Sequence, residues 1–280
     1  MKFNPNVQWD KIFYGRKLMD QIITTIETKN ILSGVYLKRY LFRAMMAGFI
    51  IANIVMFSTR IRTDFADAFP PGTVNLLASF CFSFALVLIL FTNSELLTSN
   101  FMYFTVGLYY KKIKPMYASR IFLLCFTGNV LGAIVLFMLV RQSSIVNPEM
   151  ADLLLKMTSV KSNSGALDIF IKAIFANFFI NISVVIAMQL DDILARMFVM
   201  MFGVMIFAFM GYEHVIANAA IFIGAFFYHP ESVNLLLVLK NLFFSFWGNY
   251  VGGGLIIGLF YAYLNDHTHI EEDKANYIEE

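Results

Sequence analysis

Two apolar stretches of this chain, about 73–110 and 195–228, are too long for one membrane crossing, and both are interrupted by polar residues. The first interruption runs from Phe91 to Asn100 and contains Thr92, Asn93, Ser94, Glu95, Thr98 and Ser99; the second is Gly211-Tyr212-Glu213-His214-Val215-Ile216-Ala217-Asn218. A charge at the centre of a membrane helix costs on the order of 2.5–3.5 kcal/mol even on the gentlest scale. Irregular backbone is tolerated at that depth only where it is buried in protein or lines a cavity. Both runs therefore predict a broken helix inside a helical bundle.

The composition agrees. With 59% hydrophobic and 14% charged residues, the chain lies far from the soluble norm of roughly a quarter charged. A helical crossing of ~30 Å of hydrocarbon takes about 20 residues. Six runs meet that length, at about 41–58, 73–110, 119–140, 166–188, 195–228 and 240–264. The expected fold class is thus an all-α membrane protein with six transmembrane helices in residues 41–265. Residues 1–40 mix Trp9, Ile12, Phe13, Leu18, Ile22, Ile23 and Ile26 with Lys11, Arg16, Lys17, Lys29, Lys38 and Arg39, the pattern of an amphipathic basic helix at the interface. Residues 266–280 read as an acidic cytoplasmic tail. No cleavable leader is expected, the first long apolar run starting near Leu41 and serving as its own insertion signal.

The two halves repeat one another. Glu95-x4-Asn100 returns as Glu213-x4-Asn218, Ala52-Asn53 as Ala176-Asn177, and Phe126-x-Gly128-Asn129-x2-Gly132 as Phe246-x-Gly248-Asn249-x2-Gly252. The order is preserved, at offsets of 118 to 124 positions. Each repeat, 41–140 and 166–264, has three spans, so the second enters the bilayer from the opposite side. That is a 3+3 inverted repeat, in which paired broken helices build a site near the midplane. The Gly-x3-Gly spacing adds a small-residue face for close helix approach. Of the 21 Lys and Arg residues, 14 fall on one side if the N-terminus is inside, which places both termini in the cytoplasm.

Each break exposes helix ends, and a helix N-terminus offers N–H groups and partial positive charge to an anion. Thr98 supplies a hydroxyl, and His214 an imidazole whose unperturbed pKa, ~6.5, lies near physiological pH. Glu95 and Glu213 are expected to accept N–H bonds from the broken backbone away from the pore, with Asn100 and Asn218 in a similar supporting role. Asn53, Asn129, Asn177 and Asn249 read as interhelical hydrogen-bonding residues. His214 has only Leu96 at the matching position of the other repeat, an asymmetry that points to function. The net charge of +2 argues against a nucleic-acid partner. Cys81 and Cys125, both inside apolar runs, imply neither a disulfide nor a metal site, and no cofactor is expected.

At these residues the chain resembles the formate/nitrite transporter family. The resemblance is carried by Ser94-Glu95-Leu96-Leu97-Thr98, by Gly211-Tyr212-Glu213-His214-x2-Ala217-Asn218 and by Gly248-Asn249-x2-Gly252-Gly253. It implies an aquaporin-like protomer with its own pore in a homopentamer of a prokaryotic inner membrane, passing small monovalent anions such as formate, nitrite or hydrosulfide. By the same resemblance Phe82, Leu86 and Phe207 form hydrophobic constrictions, Leu96 and Leu97 the loop-side constriction, Thr98 and His214 the polar pair between them, and Lys161 an anion funnel. Two positions depart from the family pattern: Leu97 stands where an aromatic residue is common, and Tyr212 where Phe is common.

The mechanism expected from these residues is concentration of a weak-acid anion at Lys161, its dehydration at an apolar slit, and sharing of a proton at His214. Two rivals carry less. A water or glycerol channel calls for Asn-Pro-Ala boxes, and neither break contains Pro. A membrane enzyme or sensor with His214 as base calls for a second catalytic group, and the remaining histidines, His229, His267 and His269, lie in a loop or in the tail.

Overall fold

The structure is a computed structural model that describes residues 15–266. The expected tail beyond Asp266 and residues 1–14, including Trp9, Ile12 and Phe13, lie outside the described residues. Eleven α-helices are labelled in chain order: α1 (Arg16–Gly34), α2 (Leu37–Asp64), α3 (Pro71–Phe91), α4 (Leu97–Tyr109), α5 (Pro115–Val140), α6 (Pro148–Asn163), α7 (Ala166–Met188), α8 (Ile193–Phe209), α9 (Val215–Tyr228), α10 (Leu235–Asn249) and α11 (Phe260–Leu264). A π-helical stretch, Tyr250–Leu259, joins the last two into one crossing of 30 residues. Pro occupies the first position of α3, α5 and α6, where its fixed φ suits a helix start and no N–H bond is lost.

The six crossings are α2, α3–α4, α5, α7, α8–α9 and α10–α11. Among the described residues five helices are long and apolar enough to span a bilayer, while α8 and α9 are the two shorter apolar pieces of one crossing. Both overlong runs do break, at 92–96 and 210–214, and they break in the same way. Each first half-helix ends on a left-handed residue, Asn93 at φ 51° and Gly211 at φ 67°, which are 118 positions apart. The next N–H then reaches back to the third-last carbonyl, Ser94 to Ile89 at 2.9 Å and Tyr212 to Phe207 at 3.1 Å. This capping arrangement satisfies carbonyls that a broken helix would otherwise leave orphaned.

Close packing of α2 on α5 and of α7 on α10 follows from the repeated glycines. A Cβ on Gly132 would run into the Met45 carbonyl oxygen of α2, and a Cβ on Gly252 into the Ile174 carbonyl oxygen of α7. The inverted repeat read from the sequence is therefore also a repeat of helix contacts. In the described part of the segment expected at the interface, α1 packs Leu18, Met19, Ile22 and Ile26 into the core cluster. Just before α1, Gly15 N–H donates to Asn265 Oδ1 at 2.7 Å. Within α1 these apolar residues form one face, and that face packs on protein.

Candidate functional site

The second half-helices, α4 and α9, start close to one another in the middle of the bundle. Their first N–H groups are held by asparagines from the following crossing: Leu97 N–H donates to Asn129 Oδ1 (3.1 Å) and Val215 N–H to Asn249 Oδ1 (2.8 Å). The same amides donate backwards, Asn129 Nδ2 to the carbonyls of Ala44 and Glu95, and Asn249 Nδ2 to those of Ala173 and Glu213. Each side chain thus satisfies donor and acceptor of the irregular backbone and ties it to a third helix. The interhelical role expected for Asn129 and Asn249 is present, and it extends to the breaks themselves.

The bonding expected of the glutamates is corrected. Among the described hydrogen bonds neither Glu95 nor Glu213 accepts a backbone N–H. Glu95 accepts from Lys29 Nζ (2.5 Å) and Asn100 Nδ2 (3.1 Å). Glu213 accepts from Lys161 Nζ (3.0 Å), Asn218 Nδ2 (2.5 Å) and Asn241 Nδ2 (3.3 Å). A buried carboxylate needs a cation and hydrogen-bond donors, and the asparagines had already taken over the backbone. Glu95 also lines a cavity, rather than facing away from one. Lys29 belongs to this constellation and was missed; the signal is that two buried glutamates in matching places require two cations, whereas Lys161 was expected only as an anion funnel.

His214 and Thr98 lie between the two breaks. His214 caps α9, its Nδ1 accepting from Ala217 N–H at 3.1 Å, and its Nε2 lies 3.0 Å from Thr98 Oγ1. Because a backbone N–H can only donate, the neutral ring carries its hydrogen on Nε2 and donates it to the threonine oxygen. The Thr98 hydroxyl hydrogen has no acceptor among the described hydrogen bonds, and Thr98 itself is fully buried and lines none of the cavities below. Leu96, the counterpart of His214, caps α4 with no side-chain bond. Thr98 is fixed from behind by Asn177 Nδ2 and Asn181 Nδ2, which donate to its carbonyl at 3.0 and 3.1 Å. The N–H groups of Thr98, Ser99 and Ile216 have no partner among the described hydrogen bonds.

Three cavities are strung along this line. On the face away from α1, a cavity of about 350 Å³ is lined by Arg62, Asn75, Phe82, Lys161, Phe207 and His214, among others. Next is a chamber of about 20 Å³ that shares Phe82, Phe207 and His214 with it and adds Leu86 and Leu96. On the α1 face a third cavity, of about 520 Å³, shares Leu96 and Ile89 with the chamber and adds Lys29, Arg43 and Glu95. Phe82 and Phe207 meet edge to face at 5.9 Å, and Phe207 stacks on His214 at 5.7 Å. The central chamber has room for about one water and is walled almost wholly by carbon. Leu97, expected at a constriction beside Leu96, is fully buried and lines none of these cavities. As the first residue of α4 it turns into the core, while Leu96, still extended, faces the chamber.

With this geometry, a match of residues 16–263 to the formate/nitrite transporter family model is decisive. The chain belongs to the formate/nitrite transporter family. Among curated relatives of this family member, the uncharacterized transporter YwcJ of Bacillus subtilis (strain 168) is 28% identical over 234 residues, covering 81% of this chain and 89% of that protein. Among solved structures, an FNT family ion channel superposes with a TM-score of 0.79 at 21% identity, over 88% of this chain and 97% of that one. A pentameric formate channel with formate bound gives 0.68 at 23% identity, over 80% and 95%. These likenesses establish that this formate/nitrite transporter family member has the channel fold of the family.

Proposed function

We propose that this protein is a homopentameric membrane channel or transporter for small monovalent weak-acid anions of the formate, nitrite or hydrosulfide class, each protomer passing its substrate along the line of three cavities. The reading places it in the cytoplasmic membrane of a prokaryote with both termini inside. The observation that carries it is His214, which lines the 20 Å³ apolar chamber while its Nε2 lies 3.0 Å from the buried Thr98 Oγ1. An anion entering that chamber loses its hydration, at a cost of several kcal/mol that a neutral acid avoids.

The pair offers hydrogen bonds at the point where water is stripped. Neutral His214 donates through Nε2 to Thr98, and the threonine hydroxyl then donates to the substrate. The positive ends of α4 and α9 favour the anion there, and a proton taken from the watery vestibule converts it to the acid that crosses between Phe82, Phe207, Leu86 and Leu96. His214 in this reading holds and orients the substrate by hydrogen bonding. The proton itself comes from solvent, since a neutral imidazole giving up its only N–H would be left as an anion.

Flux of formate, nitrite and hydrosulfide into proteoliposomes, measured under an imposed potassium-diffusion potential, tests the reading. Uptake well above that of protein-free liposomes, with a rate insensitive to the potential and accompanied by proton uptake, is expected. A rate that tracks the potential would show a bare anion crossing and overturn the neutral-acid step.

A further inference from the structure

Lys161 shares the outer vestibule with a second cation, and the two differ in what faces them. Lys161 Nζ is 3.0 Å from Glu213 Oε1, with side chains 17% and 4% exposed. Much of its field is therefore cancelled where it stands, and the pair has a copy in Lys29 and Glu95 on the opposite face. A cation whose partner and position are both repeated serves the broken helices. Arg62, in the last turn of α2, lines the same cavity as His214 and Phe207. Among the described residues it makes no ion pair: the nearby Asp64 pairs with Arg60, at 2.5 Å. The other polar groups lining the cavity near it are committed elsewhere, Ser58 Oγ to the Ala78 carbonyl, Thr59 Oγ1 to that of Val55 and Asn75 Nδ2 to that of Phe209.

The inverted repeat gives an independent argument. The offset of 124 that carries Asn53 to Asn177 carries Arg62 to Ile186, an exposed apolar residue. Residues that hold the architecture come in pairs, as the asparagines, glutamates and lysines do. Arg62, like His214, has no counterpart. From its open charge, its place in the vestibule and this asymmetry, we infer that Arg62 is the residue that captures the anion before dehydration. Its guanidinium is a fixed fork of donors matching the two oxygens of a carboxylate or of nitrite, so the class it favours is the small planar two-oxygen anion. The inference rests on the anion-transport reading above and assigns the capture step within it to a residue other than Lys161.

The test is formate uptake by reoriented, sealed proteoliposomes with formate on the vestibule side, as a function of formate concentration and ionic strength, for wild type, Arg62→Gln and Arg62→Lys. A cation at the mouth of a low-dielectric cleft raises local anion concentration, an effect that salt screens. Arg62→Gln is expected to raise the half-saturating formate concentration about 3- to 10-fold, to keep the maximal rate, and to lose most of the salt dependence. Arg62→Lys is expected to keep the salt dependence with a smaller rise. Wild-type half-saturation and salt dependence in Arg62→Gln, or loss of salt dependence in Arg62→Lys, overturns the assignment. Absence of any formate flux in wild type would instead overturn the transport reading itself.

Discussion

Lys29 on α1 donates to Glu95 at the first break from 2.5 Å, across 66 positions of sequence, with side chains 13% and 5% exposed. The contact fastens a helix that begins the described chain to the irregular backbone at the centre of the fold, and it roofs the 520 Å³ cavity. Removing one partner of such a pair leaves a buried charge uncompensated, typically about 3–5 kcal/mol in a dry site and less where some water reaches. Lys29→Met is therefore expected to lower the thermal midpoint of the purified protein markedly, and Lys29→Met with Glu95→Gln to recover much of it. Scanning fluorimetry of the three proteins decides. A single variant as stable as wild type would show that the pair contributes nothing.

The asparagine clamps should behave as equals. Asn129→Ala orphans the Leu97 N–H and leaves the Glu95 carbonyl only the weak Cys125 thiol donor; Asn249→Ala orphans the Val215 N–H and the Glu213 carbonyl; the carbonyls of Ala44 and Ala173, inside helices, lose a second donor. Each unsatisfied buried group costs about 1–3 kcal/mol. Both variants are expected to lose several kcal/mol of stability to a similar extent, read as a loss of folded protein in mild detergent. One tolerated variant beside one that fails to fold would deny the functional equivalence of the two clamps.

Much of this was legible in the chain because both breaks combine charge with an apolar setting, and because Glu95, Asn100, Asn129 and Ala52 each have an echo in the second half. The crossings, the breaks and the inverted topology follow from that alone. What the glutamates bind was not legible, since it depends on Lys29 reaching 66 positions and on an asparagine from a third helix having already satisfied the backbone. The asymmetric residues were harder still. His214 stands out because its counterpart is a leucine, yet nothing in a linear pattern tells that Leu96 faces a cavity and Leu97 the core.

Glycines at the breaks and in the packed faces are predicted to fail for different reasons. Gly211 has φ 67°, and a Cβ added there would meet nothing within 4 Å, so Gly211→Ala meets only backbone strain, about 1–2 kcal/mol. Gly211→Asn should cost less, since Asn93 already holds the matching left-handed position. Gly252→Ala drives a methyl into the Ile174 carbonyl and forces the π-helical stretch from α7, with overpacking of about 1–3 kcal/mol or more. Thermal melts of the three variants should rank Gly211→Asn above Gly211→Ala above Gly252→Ala. The reverse order would mean that the break, not the packed face, limits stability.

Thr98→Val keeps the shape of the side chain and removes its hydroxyl. The His214 Nε2–H then loses its acceptor, and on the proposed path the substrate loses a hydrogen-bond donor. One such hydrogen bond is worth about 1–1.5 kcal/mol, so formate flux is expected to fall about tenfold, with Thr98→Ser close to wild type. Equal flux through Thr98→Val and wild type would remove the hydroxyl from the proposed path.

Adjacent leucines stand on either side of the divide between the proposed path and the core. Leu96 lines both the central chamber and the cavity on the α1 face, whereas Leu97 is fully buried and lines neither. Leu96→Ala removes carbon from the wall of a chamber of only about 20 Å³, so it is expected to raise flux and to admit anions one or two carbons larger than formate. Leu97→Ala opens a void in packed protein, at about 2–5 kcal/mol, and is expected to lower the thermal midpoint while leaving the size selectivity of the surviving folded protein unchanged. Measuring flux of formate, acetate and lactate together with thermal stability distinguishes the two. A shift of selectivity in Leu97→Ala as large as that in Leu96→Ala would place both side chains on the path, because a residue that only packs the core has no means of discriminating between anions of different length.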